Sequence, residues 1–124
     1  MLLIEVKGTE IGNVYPLNKK GPIVLGRSKE CDIHILDLKV SRVHCQIDNR
    51  DGAFYIRDLN STNKTVLNRS ILESEIKLNL GDIVGIGDTV LIFTDQKKIP
   101  VKSVSEFDTI RMNKTKEIDR QYVQ

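Results

Sequence analysis

His44-Cys45-Gln46-Ile47-Asp48-Asn49-Arg50-Asp51-Gly52-Ala53-Phe54-Tyr55-Ile56-Arg57-Asp58-Leu59 is the stretch that decides the fold class. Two apolar or alternating runs, His44 to Ile47 and Phe54 to Leu59, flank Asn49-Arg50-Asp51-Gly52. A turn ending in Asp-Gly tolerates the positive φ angles of a tight hairpin, so the stretch reads as two antiparallel strands. The same grammar extends both ways. Leu2 to Val6, Val14 to Leu17, Ile23 to Leu25 and Ile33 to Leu36 precede it. Thr65 to Leu67, Ile76 to Leu78, Ile83 to Ile86 and Val90 to Phe93 follow it. Turn residues such as Lys19-Lys20-Gly21-Pro22 and Leu80-Gly81-Asp82 separate the runs. Before residue 96 there is no amphipathic helix of useful length. Many short strands at even spacing predict a β-sandwich or a barrel.

The 124 residues suit one domain of ordinary size, and 40% hydrophobic with 29% charged residues suits a core with a soluble surface. Lys and Arg total 19, Asp and Glu 17, for a net charge of +2. That balance gives bulk electrostatics no pull toward nucleic acid or membrane, so any anion site must be a local cluster. Cys31 and Cys45 lack the second pair that a metal site needs, and no metal or other cofactor is expected. They read as two buried thiols in a cytosolic domain, with a disulfide as the other reading. Met1 to Lys7 has no basic region leading into a long apolar run, and no stretch approaches the ~20 apolar residues of a membrane helix. The expected location is cytoplasmic.

Three polar segments interrupt the strands: Leu25-Gly26-Arg27-Ser28, Val40-Ser41-Arg42-Val43-His44-Cys45, and Asp58-Leu59-Asn60-Ser61-Thr62-Asn63-Lys64-Thr65-Val66-Leu67-Asn68. A small pocket for a phosphate monoester needs a guanidinium, a hydroxyl or two, and loop N–H groups. Loops at one end of a sandwich can bring these together from separate parts of the chain.

In these segments the sequence resembles the forkhead-associated (FHA) family. That family's pattern is Gly-Arg, then Ser-Arg-x-His, then Ser-Thr-Asn-Gly-Thr with an apolar pair and Asn, in this order. Cys31-Asp32-Ile33-His34-Ile35 and Leu80-Gly81-Asp82 to Ile86-Gly87 match further parts of it. The resemblance covers about residues 2 to 95. It implies an all-β, two-sheet antiparallel sandwich of about ten to eleven short strands, SMAD/FHA-like. The domain would span 1–96, with a polar tail or linker at 97–124. The implied function is a phosphothreonine-dependent peptide- or protein-binding module in signalling, with no enzymatic activity. Its partners would be a phosphothreonine protein and a Ser/Thr kinase upstream, with no nucleic acid and no membrane.

Carried over, Arg27 and Ser41 resemble the phosphate-binding arginine and serine, and Arg42 a neighbour that supplements them. Thr62 resembles a residue that shapes the pocket, and Asn63 the asparagine that holds the peptide backbone. Gly26 resembles the glycine that permits the strand-to-loop turn, His44 a brace between loops, and Asn68 a stabiliser of the same region. Lys64 departs from the pattern, which has glycine there. If positive φ is needed, lysine costs of order 1 kcal/mol. The departure reads as altered loop shape or added charge.

Each residue also has a plainer reading. Arg27 and Arg42 could be solvated surface charge, and Ser41, Thr62 and Asn63 ordinary turn formers. His44 with Ser41 and Asp58 mimics a hydrolase triad, but no nucleophile elbow accompanies them. Three rival functions have less support. A degenerate FHA domain with phosphorylation-independent contacts is at odds with the intact Arg27, Ser41 and Asn63. A nucleic-acid barrel would want a basic face with interleaved aromatics. An enzyme would need a metal set or nucleophile pair.

After Asp95 the composition turns polar and mixed in charge. Thr109, with acidic residues before it and Met112 three positions later, is a candidate phosphorylation site. Thr115, with Ile118 three positions on, has basic flanks. Phosphorylated Thr109 is a candidate ligand for this same domain, in its own molecule or a neighbour. A flexible linker from Asp95 spans roughly 20 Å, so docking within one molecule requires that the binding loops not lie on the far side.

Overall fold

A computed structural model of the chain describes residues 1–98. These described residues form eleven strands: β1 (Leu2–Lys7), β2 (Val14–Pro16), β3 (Gly21–Gly26), β4 (Ile33–His34), β5 (Cys45–Arg50), β6 (Ala53–Asp58), β7 (Thr65–Leu67), β8 (Ser70–Ile71), β9 (Ile76–Lys77), β10 (Ile83–Ile86) and β11 (Thr89–Thr94). The six-stranded sheet runs β2-β1-β11-β10-β7-β8 and the five-stranded sheet β4-β3-β5-β6-β9. This is the expected sandwich. One pairing departs from the antiparallel expectation: β4 runs parallel to β3, with Leu25 opposite Ile33. The parallel step is needed because the chain loops back beside the end of β3, where the Gly26 carbonyl accepts from the Ile35 N–H at 2.9 Å.

The hairpin that decided the fold class forms as read. Arg50 pairs with Ala53, and Asp51 and Gly52 fill a two-residue turn with φ of 56° and 90°. The Asn49 side-chain oxygen accepts from the Gly52 N–H and closes the turn. β8 was not legible in advance. It follows another two-residue turn, Asn68 and Arg69, in which both residues have positive φ and neither is glycine.

Alternate residues of the two sheets meet between them. Leu3, Leu25, Ile47, Ile56, Val84, Leu91 and Phe93 belong to this main core. Phe54 and Phe93 pack ring against ring at 5.5 Å. The expectation of two buried thiols holds for Cys45 only. Both cysteines are free, but Cys31 is half-buried, because it lies in the turn beyond β3 with its Sγ on the Arg42 carbonyl. Burial raises the Cys45 thiol to about 12. Among the described residues no helix is long and apolar enough to cross a membrane.

Candidate functional site

Three loops meet at one end of the sandwich, each fixed by a strand end. The loop leaving β3 is stitched to the loop entering β5: the Arg27 N–H donates to the Ser41 carbonyl at 2.9 Å, and the Ser28 N–H to the Arg42 carbonyl at 3.1 Å. Gly26 sits at the seam. A methyl group there would run into the Arg42 carbonyl oxygen and lie 2.8 Å from the Cys31 sulfur. Its φ is not in the left-handed region, so glycine is needed for room between two backbones rather than for the turn itself.

The Arg27 guanidinium is exposed but not loose. Its Nε donates to the Val40 carbonyl at 2.9 Å, which anchors the group at one edge. The Ser41 hydroxyl oxygen accepts from the Thr62 N–H at 3.0 Å, so its own proton is left to donate elsewhere. His44 is fully buried and joins all of this. Its Nδ1 accepts from the Ser41 N–H at 3.0 Å, and its Nε2 lies 2.9 Å from the Lys64 carbonyl. Only a neutral ring with its proton on Nε2 satisfies both contacts. The ring therefore bonds the serine backbone and not its hydroxyl, which is unlike a triad.

The third loop, between β6 and β7, carries Thr62 and Asn63 over the second. Asn63 donates from Nδ2 to the Lys39 carbonyl at 2.8 Å. Asp58 fixes the loop from beneath, accepting from the Ser61 N–H and hydroxyl and from the Thr65 hydroxyl. Burial pushes the Asp58 carboxyl up, but those hydrogen bonds outweigh it and hold the group below the usual carboxylate range. Asn60 and Lys64 have φ of 60° and 68°, so the lysine stands in backbone space that suits glycine. Asp37 does for the second loop what Asp58 does for the third. It accepts from the Lys39 N–H, and from the Asp88 N–H and Thr89 hydroxyl at the turn between β10 and β11.

The structure thus brings together Gly26, Arg27, Ser41, Arg42, His44, Thr62 and Asn63. Asn68 is not among them. It lies at the other end of β7, where its side chain bonds the Asp82 carboxylate and the Ile83 N–H, so it supports the start of β10 and not the loop cluster. Thr109 lies outside the described residues. Sequence reading missed Asp37 and Asp58, which hold the loops by accepting from backbone and hydroxyl donors. Beside the cluster, a cleft of about 650 Å³ is lined by Leu36, Leu38 and Ile11. Leu38 is 92% exposed there. Among the described residues there is no grouping fit to hold a metal ion.

The model of the FHA domain family matches residues 23–87, the span that contains all three loops. The chain belongs to the FHA domain family. Among FHA relatives, the oxoglutarate dehydrogenase inhibitor of Corynebacterium diphtheriae is 35% identical over 94 residues, covering 76% of this chain and 64% of the inhibitor. The chain therefore spans only part of that protein's length. An FHA domain solved in an analysis of phosphothreonine-dependent FHA interactions superposes with a TM-score of 0.68 at 27% identity, over 77% of this chain and 98% of that one. Mycobacterium tuberculosis EmbR, solved with a low-affinity phosphopeptide, gives 0.70 at 27% identity, over 80% of this chain and 25% of EmbR.

Proposed function

We propose that this FHA domain is a phosphothreonine-dependent peptide-binding module. In this reading the phosphate sits between the Arg27 guanidinium and the Ser41 hydroxyl, with Arg42 adding charge at the rim. Thr62 shapes the pocket for the threonine methyl, and Asn63 holds the peptide backbone with its free side-chain oxygen. The observation that carries the reading is the preorganisation of Arg27 and Ser41. Each spends one polar atom on a neighbouring loop and keeps its remaining donors for a ligand. A dianion with several acceptor oxygens suits such a set. The phosphothreonine-dependent interactions studied for one solved relative, and the phosphopeptide bound by another, support the same ligand class.

Calorimetry against three forms of one peptide tests it. The phosphothreonine form should bind, the phosphoserine form more weakly, and the unmodified form not at all. Arg27→Ala removes a charge-assisted contact on the order of 2–5 kcal/mol, enough to abolish measurable binding of a micromolar ligand. Equal affinity for the modified and unmodified peptides would sink the proposal.

The natural ligand on this reading is the product of a Ser/Thr kinase. We propose phosphorylated Thr109 as one such ligand, docking between molecules. β11 begins beside the second loop, where Thr89 bonds Asp37, and so ends at the opposite end of the sandwich. The tail thus departs from the far side, at odds with the condition for docking within one molecule. Phosphorylated wild type should form a larger species on size-exclusion chromatography that a free phosphopeptide dissolves. Thr109→Ala should remain small.

A further inference from the structure

The six-stranded sheet is apolar on both faces. Its inner face sends Leu3, Val84, Leu91 and Phe93 into the core between the sheets. Its outer face carries a second cluster: Leu2, Ile4, Val6, Ile83, Val90 and Ile92, with Val14 packed against it. Strand register places Val14 opposite Ile4, Ile4 opposite Ile92, and Ile92 opposite Ile83, one apolar row across four neighbouring strands. A sheet face that meets water alternates to polar residues. Here β11 reads Thr89-Val90-Leu91-Ile92-Phe93-Thr94, apolar at both parities through its centre. Ile4, Val90 and Ile92 are each 1% exposed. The five-stranded sheet takes the opposite face, and all eleven described strands belong to these two sheets.

We propose that this outer face is the docking site of the chain's own segment 99–124. The strand that carries Val90 and Ile92 is also the last described strand, and it lies between β1 and β10 in the middle of the sheet. The described residues end at Lys98, four past the end of β11, so the segment that follows is tethered close to this sheet. They include Val101, Val104, Phe107, Ile110 and Met112, spaced among Lys, Ser, Glu, Asp and Arg. Such a segment can turn apolar side chains to the sheet and charged ones to water. Tethering favours it over a second copy of the chain, because a short linker holds its end at millimolar effective concentration. None of the six outer-face residues is more than 9% exposed, although no described strand packs on that face. The sheet face and the loop cluster are separate surfaces, but Thr109 lies between Phe107 and Ile110, so the covered state belongs to the unphosphorylated chain and the segment must leave the sheet when phosphorylated Thr109 docks in a neighbour.

Nuclear Overhauser contacts in the full chain test it. Methyl groups of Ile4, Val90 and Ile92 should show contacts to the Phe107 ring and to Val104 and Ile110 methyls in a monomer. A full chain carrying Val104→Ser, Phe107→Ser and Ile110→Ser together leaves every strand intact. It should bind a hydrophobic dye that wild type does not, and melt about 5 °C or more lower. Strong dye binding by wild type, a triple variant with unchanged melting and no dye binding, or contacts from these methyls to a second copy in a mixed-label sample each overturns the proposal.

Discussion

At Lys64 a long side chain occupies backbone space that glycine takes without strain. The φ of 68° costs a non-glycine residue of order 1 kcal/mol. The carbonyl of the same residue is the anchor for His44, so the conformation cannot relax without releasing the brace. Lys64→Gly should therefore stabilise the domain by roughly 0.5 to 1 kcal/mol in urea denaturation, the gain trimmed by the freer unfolded glycine. Lys64→Ala should give no such gain. Asp58 allows a pH prediction. Its carboxyl is held below the usual range, so its contribution is complete above the unfolded value of about 3.9 and fades as pH falls through the lower folded value. Stability measured from pH 5 down to 2 should fall less steeply in Asp58→Asn than in wild type. That the loops of Arg27, Ser41 and Asn63 would meet was legible because three short motifs in fixed order leave few other readings. Asp37 and Asp58 were not. An aspartate in a polar loop reads as solvated charge until the donors it faces are known, and those come from elsewhere in the chain.

Strands were legible where alternation or a glycine turn marked them. Asp51-Gly52 did so for β5 and β6, and long apolar runs for β1, β10 and β11. β8 has two residues and follows Asn68-Arg69, a turn of the same two-residue kind without glycine to announce it. Here Arg69, with φ of 77°, is the strained residue. Arg69→Gly should raise stability by about 0.5 to 1 kcal/mol, measured as a higher urea midpoint at unchanged slope. A lower midpoint would show that the arginine side chain does more for the turn than its backbone takes away. Neither could sequence give the parallel pairing of β3 and β4. Two residues carry no directional signal, and the pairing depends on a loop returning past Gly26.

For the whole molecule, the family pattern carried the sandwich and the loop cluster together, while the outer face of the six-stranded sheet went unread. Period-two reasoning looks for one buried face, and a strand buried on both reads only as a long apolar run. A ligand that binds only the folded state should shift the melting of the whole domain. At a concentration 100 times its Kd, a phosphothreonine peptide should add about 2.7 kcal/mol, seen as a rise of several degrees in a thermal scan. The unmodified peptide should leave the curve where it was. Both loop aspartates tie the site to the sheets, so a shift confined to local probes, without global melting, would argue against this coupling.

The pairing of β1 with β11 has a consequence for synthesis. β1, the first described strand, has the last described strand as its neighbour on one side, and only the three residues of β2 on the other. At roughly 5–20 residues per second, Leu2 to Lys7 waits several seconds before residues 89–94 clear the ribosome. Until then the centre of the six-stranded sheet has no partner, and Leu3, Ile4 and Val6 face water or a chaperone. A ribosome stalled before Thr89 would present a chain whose loops are nearly all made, yet whose larger sheet cannot close.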